Sequence, residues 1–70
     1  MEKSNNIIAA ERCEAEAKEY ERRAIETELT LSGYPGKARK ARKQAMRYIE
    51  QMRGAVREAT ALAKSHRARG

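Results

Sequence analysis

Small and apolar residues in the first half of the chain recur as Ala10, Cys13, Ala17, Tyr20, Ala24, Thr27 and Leu31. The steps alternate between three and four. In the second half the series Ala38, Ala41, Ala45, Tyr48, Met52, Ala55, Ala59, Leu62, His66 alternates in the same way. A repeat of this kind puts one stripe of each helix against a partner helix, as in a coiled coil. Neither run contains proline. The concentrated breaker signal is Leu31-Ser32-Gly33-Tyr34-Pro35-Gly36-Lys37. Ser4 and the asparagines after it are N-cap candidates. Gly33 fits the position just past a helix end, and Pro35 stops continuation. The pattern predicts helix one over about 5–32, a turn at 33–36 and helix two over about 37–66. A connection that short makes the pair antiparallel. The fold class is all-α, a two-helix hairpin in a single domain over 1–70.

Two details refine the hairpin. Ala10, Ala17 and Ala24 repeat every seven residues, with Ala38, Ala45 and Ala59 at the matching position on helix two. Small seam residues let helix axes approach toward the short end of the ~8–10 Å range. Glu28 and Arg42 flank the seam equally far from the turn, which predicts an ion pair between them.

The apolar face is wider than one seam. Ile49, Val56 and Ala63 form a second line, with Met46 beside it, and Ile25 and Leu29 sit off the seam of helix one. A hairpin cannot bury both lines. Two hairpins can, as a four-helix bundle. Ile25, Leu29, Met46, Ile49 and Val56 are therefore the expected interface of a homodimer. Size points the same way, because a chain of 70 residues rarely builds an adequate core from one copy of itself. Cys13 is the single cysteine, so no disulfide can staple the monomer, and one Cys, one His and no Asp argue against a metal site. No run of apolar residues is long enough for a signal peptide or a membrane span, which makes the cytoplasm the expected compartment.

Charge changes sign at the turn. Residues 1–36 carry five basic side chains and eight glutamates, and residues 37–70 carry eleven basic side chains against Glu50 and Glu58. An acidic helix folded on a basic one gains Coulomb complementarity and still leaves a net charge of +6. The densest run is Lys37-Ala38-Arg39-Lys40-Ala41-Arg42-Lys43, with Arg47 next. Cations in a helix's first turn oppose its dipole. A chain that accepts this cost holds a surface for an anion or keeps a solvated basic helix for solubility.

Enzyme chemistry has no foothold. The four glycines make no phosphate-binding loop. Cys13 and His66 lie on the seam, where a thiol acts as a small hydrophobe and an imidazole packs or meets solvent. No cofactor is implied. Two binding classes remain. Nucleic acid is the second choice: no helix-turn-helix is visible, and no aromatics are interleaved with the cations for base stacking. Protein recognition is the first. Tyr34 stands at the turn beside Pro35 and close to Arg39, a composition suited to an interface hot spot. Its other reading is a cap contact back onto Leu31 or Leu29. The expected partner-binding set is Tyr34, Lys37, Arg39, Lys40, Arg42, Lys43 and Arg47.

The whole-chain layout, with Glu19-Tyr20-Glu21-Arg22-Arg23 in helix one and Ser32-Gly33-Tyr34-Pro35-Gly36-Lys37 at the turn, resembles the small anti-quorum-sensing proteins of Pseudomonas phages. The resemblance implies a host-takeover protein without catalytic activity. It also implies binding to a host quorum-sensing transcription activator, which blocks that activator's attachment to DNA. The ATPase that drives type IV pilus assembly is a further implied partner.

Overall fold

The computed structural model of the protein describes residues 3–70; Met1 and Glu2 lie outside the described residues. Helix α1 spans Asn5–Ser32 and helix α2 spans Arg39–Arg69, and they pack against each other as a hairpin. Ser4 caps α1: its Oγ accepts from the Ile7 amide at 3.2 Å, satisfying one of the orphan donors of the first turn. The other end departs from the expectation for Gly33. This residue has φ −87° and ψ −6°, in the right-handed region. The helix closes instead by tightening: Gly33 N donates to Thr30 O at 3.1 Å and Tyr34 N to Leu31 O at 3.0 Å. Pro35 then takes the chain out, and Ala38 N returns to Pro35 O at 3.0 Å. That extra turn delays α2 from 37 to Arg39, and α2 runs on to Arg69 rather than fraying at 66.

On α1 the predicted seam is the buried one: Ala10, Ala17 and Ala24 are its buried residues. On α2 the buried line differs from the predicted series. Ile49, Ala59 and Ala63 are buried, and Arg42, Ala45, Met52, Val56 and His66 are half-buried. These positions step 42, 45, 49, 52, 56, 59, 63, 66. The helix is thus rotated relative to the predicted series, keeping Ala45, Met52, Ala59 and His66 but exchanging the alternate residues. Tyr48 and Leu62 stand 37% and 54% exposed. The reason is steric. A helix that presents alanine every seven residues draws its partner close, and Ala63 and the β-branched Ile49 fit that narrow gap better than Leu62 and Tyr48. Tyrosine also keeps its hydroxyl in water this way. Ile49 and Val56, expected to meet a second hairpin, are consumed inside the first.

The expected Glu28–Arg42 pair is also replaced. Glu28 pairs with Arg53, and Arg42 turns to the backbone of the hairpin turn. Arg67 forks onto Glu14 with bonds of 2.7 and 2.6 Å. Both pairs cross from α2 to α1 on one broad face of the hairpin. That face is lined near its middle by Glu21, Ala24, Arg53 and Val56, and nearer the termini by Ala17, Thr60 and Ala63. Helical phase puts Ala41, Tyr48, Ala55 and Leu62 on the opposite broad face, across from Ala9, Glu16, Arg23 and Thr30 of α1.

The result is a thin slab of 56 × 17 × 10 Å. Its radius of gyration is 16.1 Å, where a compact chain of this length comes to about 11 Å. It exposes 5715 Å², where a globular monomer of its mass exposes about 4,450 Å². The buried set is five alanines and Ile49. So small a core is the expected consequence of two helices whose only covered faces are each other's.

Candidate functional site

The turn end of the hairpin carries the densest group of cations without carboxylate partners among the described residues. Arg39, Lys40, Lys43 and Arg47 fall within an arc of about 100° on α2, given 3.6 residues per turn. That arc points away from α1, and all four are exposed, as is Lys37 in the turn. Among the described residues none of these five reaches a carboxylate within ion-pairing distance. Several acids are engaged elsewhere, and exposed Glu50, one turn past Arg47, forms no ion pair with any of the five among the described residues. Glu19 and Glu26 hold Arg22, Glu19 also meets Arg23, and Glu28 holds Arg53.

Arg42 belongs to the turn rather than to this exposed set. It is half-buried, and one guanidinium nitrogen donates to Tyr34 O at 3.4 Å and Leu31 O at 3.5 Å. These are long contacts. Their value is a fixed cation at the C-terminal end of α1, where the last carbonyls lack intrahelical partners and the dipole favours positive charge. Tyr34 is half-buried at the apex, its amide and carbonyl both committed to the turn.

The opposite end of the slab is clasped across the two helices by the Glu14–Arg67 pair. The Glu14 carboxyl lies below the ordinary carboxylate value of 4.5 because Arg67 donates to it, and partial desolvation opposes the shift. Arg67 is raised in return, chiefly by the same hydrogen bond. Arg22 acts likewise on Glu19. The contrast between a clasped terminal end and open cations at the turn is the main electrostatic feature of the molecule.

The residues expected at a dimer interface are split. Ile25, Leu29 and Met46 are 48%, 69% and 55% exposed, whereas Ile49 is buried and Val56 half-buried within the hairpin. The line Ala41, Tyr48, Leu62, with half-buried Ala55 between, was expected from its spacing to lie in the seam and is instead on the exposed side. Two equally periodic series run along α2, and the buried line follows the other. Cys13 is free and half-buried. His66 is half-buried, and its Nδ1 has no hydrogen-bond partner. Among the described residues no three His, Cys, Asp or Glu side chains come together as a metal site. Among the described residues no helix is long and apolar enough to cross a membrane. No family model matches the chain, and no curated protein or solved structure matches it either.

Proposed function

We propose that the protein is a non-catalytic binding module that works in the cytoplasm as a homodimeric four-helix bundle and docks its turn end on an acidic surface of a partner protein. The observation that carries this reading is the set of five exposed cations without carboxylate partners, Lys37, Arg39, Lys40, Lys43 and Arg47, on the turn and the first turns of α2, with Tyr34 half-buried in the same turn. Cations on a well-formed helix beside an aromatic at a proline-fixed turn suit complementary charge and a central anchor. The resemblance to phage anti-quorum-sensing proteins makes a host transcription activator the partner to test first, with the pilus assembly ATPase second. Covering such an activator would keep it from DNA without any chemistry.

A second reading, non-specific contact with nucleic-acid phosphates, has one observation in its favour. Lys40, Lys43, Arg47, Arg57 and Lys64 are all exposed along α2, over about 36 Å at 1.5 Å per residue, the last two bordering the broad face beside Val56 and Thr60. Salt separates the two. A random duplex titrated at about 0.15 M salt should bind weakly, because phosphate contacts are lost steeply with salt. Tight duplex binding there favours the phosphate reading. On the protein reading, Tyr34→Ala lowers partner affinity by about 2 kcal/mol or more while the melting temperature moves little. If affinity falls only as the fold fails, the ring is a cap contact.

A further inference from the structure

We infer that the second copy in the homodimer docks on the broad face carrying Ala41, Tyr48, Ala55 and Leu62, and that it docks antiparallel. The inference rests on the dimer of the proposed function and goes beyond it by naming the face and the pairing.

The two broad faces of the slab are not equivalent. One is crossed by the Glu14–Arg67 and Glu28–Arg53 pairs, so a protein packed there would desolvate four charges. No ion pair crosses the other among the described residues. Its α2 half reads small, large, small, large at seven-residue intervals, and Tyr48 and Leu62 are among the exposed large side chains. Its α1 half carries Glu16, Arg23 and Thr30. Arg23 meets Glu19, the Thr30 hydroxyl donates to Glu26 O at 3.0 Å, and Glu16 is exposed, so this half can stay at the solvated polar rim of an interface.

The order of the four α2 residues sets the pairing. In a two-fold interface, if one residue contacts a second, the second contacts the first. Two α2 helices run antiparallel with the axis between Gln51 and Met52 place Tyr48 over the partner's Ala55 and Leu62 over the partner's Ala41. Every large residue meets a small one, and no other register about this helix uses all four. Area agrees. A face of 56 × 17 Å offers about 950 Å² per copy, or about 1,900 Å² in total, within the range of stable specific interfaces. Charge agrees too. An antiparallel pair sends the two basic turn ends to opposite ends of the bundle, many Debye lengths apart at physiological salt. A parallel pair would press them together. The dimer is then a bivalent rod, with one cationic tip at each end.

The test uses the full chain in a Cys13→Ala background, with circular dichroism to confirm the hairpin. Sedimentation over a micromolar series gives the dimer constant. Leu62→Glu should weaken the dimer at least tenfold, whereas Ile25→Lys and Met46→Lys should change it less than threefold. Gln51→Cys, beside the axis, should form a disulfide-linked dimer under mild oxidation in most molecules, and Thr60→Cys on the other face should not. Cross-linking reads out even where Leu62→Glu lowers helicity. A wild-type dimer that Ile25→Lys or Met46→Lys disrupts, with Thr60→Cys cross-linking in place of Gln51→Cys, overturns the face and leaves the dimer standing. A folded wild-type monomer throughout the series overturns both.

Discussion

Replacing Ala24 with leucine should destabilise the protein, although it adds hydrophobic carbon to the core. Ala24 is 1% exposed at the middle of the α1 seam. The change adds three carbons. Were there room for them, burial at ~0.8 kcal/mol per methylene would stabilise by about 2.4 kcal/mol. Ala24 is almost wholly covered, and a longer side chain leaving the seam there runs against Arg53 and Val56 of α2. The helices must separate or the side chain must leave its rotamer, at a cost of about 1–3 kcal/mol. The two outcomes differ in sign and stand about 3–5 kcal/mol apart. That is large beside the roughly 3.5–10 kcal/mol expected for the whole stability of a chain this long. Thermal unfolding followed by circular dichroism at fixed protein concentration reads the answer. At ~4–8 °C per kcal/mol, Ala24→Leu should melt roughly 5–20 °C lower. Ala15→Leu, exposed on the same helix, should stay within about 0.5 kcal/mol of the parent. An Ala24→Leu protein that melts at or above the parent temperature would refute the close-approach seam.

Further outcomes follow from single sites. Gly54→Ala should stabilise by up to about 1 kcal/mol through helix propensity, because a Cβ there meets nothing within 4 Å; a lower melting temperature would show that the glycine serves a bend or a contact. Ile49→Ala should cost about 2–5 kcal/mol, as expected for a buried large residue, and a loss under 1 kcal/mol by denaturant titration would return the seam to the series through Tyr48. The Glu14 carboxyl is depressed by Arg67, so its stabilising contribution is full above the ordinary value of 4.5 and is lost as pH falls below it. Glu14→Gln should therefore flatten the acid limb of a stability–pH profile, and an unchanged limb would contradict the clasp.

Much of the hairpin was legible in the chain. The Ser4 cap, the alanine stripe of α1 and the break at Tyr34-Pro35 follow from local chemistry that tertiary packing does not override. The rotation of α2 was not legible, because two series with the same steps run along that helix and share every second member. Arg42 tipped the choice wrongly. With Arg42 read as flanking the seam and paired with Glu28, the series through Ala41 and Tyr48 was the buried one. In the folded chain Arg42 sits at the end of the seam, where the carbonyls of Leu31 and Tyr34 receive it. Once it is accommodated, Ile49 and Val56 enter the seam, Tyr48 and Leu62 leave it, and the exposed apolar line of α2 changes sides. The five open cations at the turn were legible as a run of charge. That they lack partners depended on where Glu28 and Arg53 meet, which only the packing decides.

The most direct test of the account compares capture by two immobilised proteins from a nuclease-treated extract of the native host. One is the parent, and the other carries Lys37→Gln, Arg39→Gln, Lys40→Gln, Lys43→Gln and Arg47→Gln, with its helicity confirmed. The account predicts a discrete protein retained by the parent at about 0.15 M salt, where the Debye length is ~8 Å, and lost with the variant. Equal retention by both, or retention by the parent only in a parallel extract without nuclease, would contradict it.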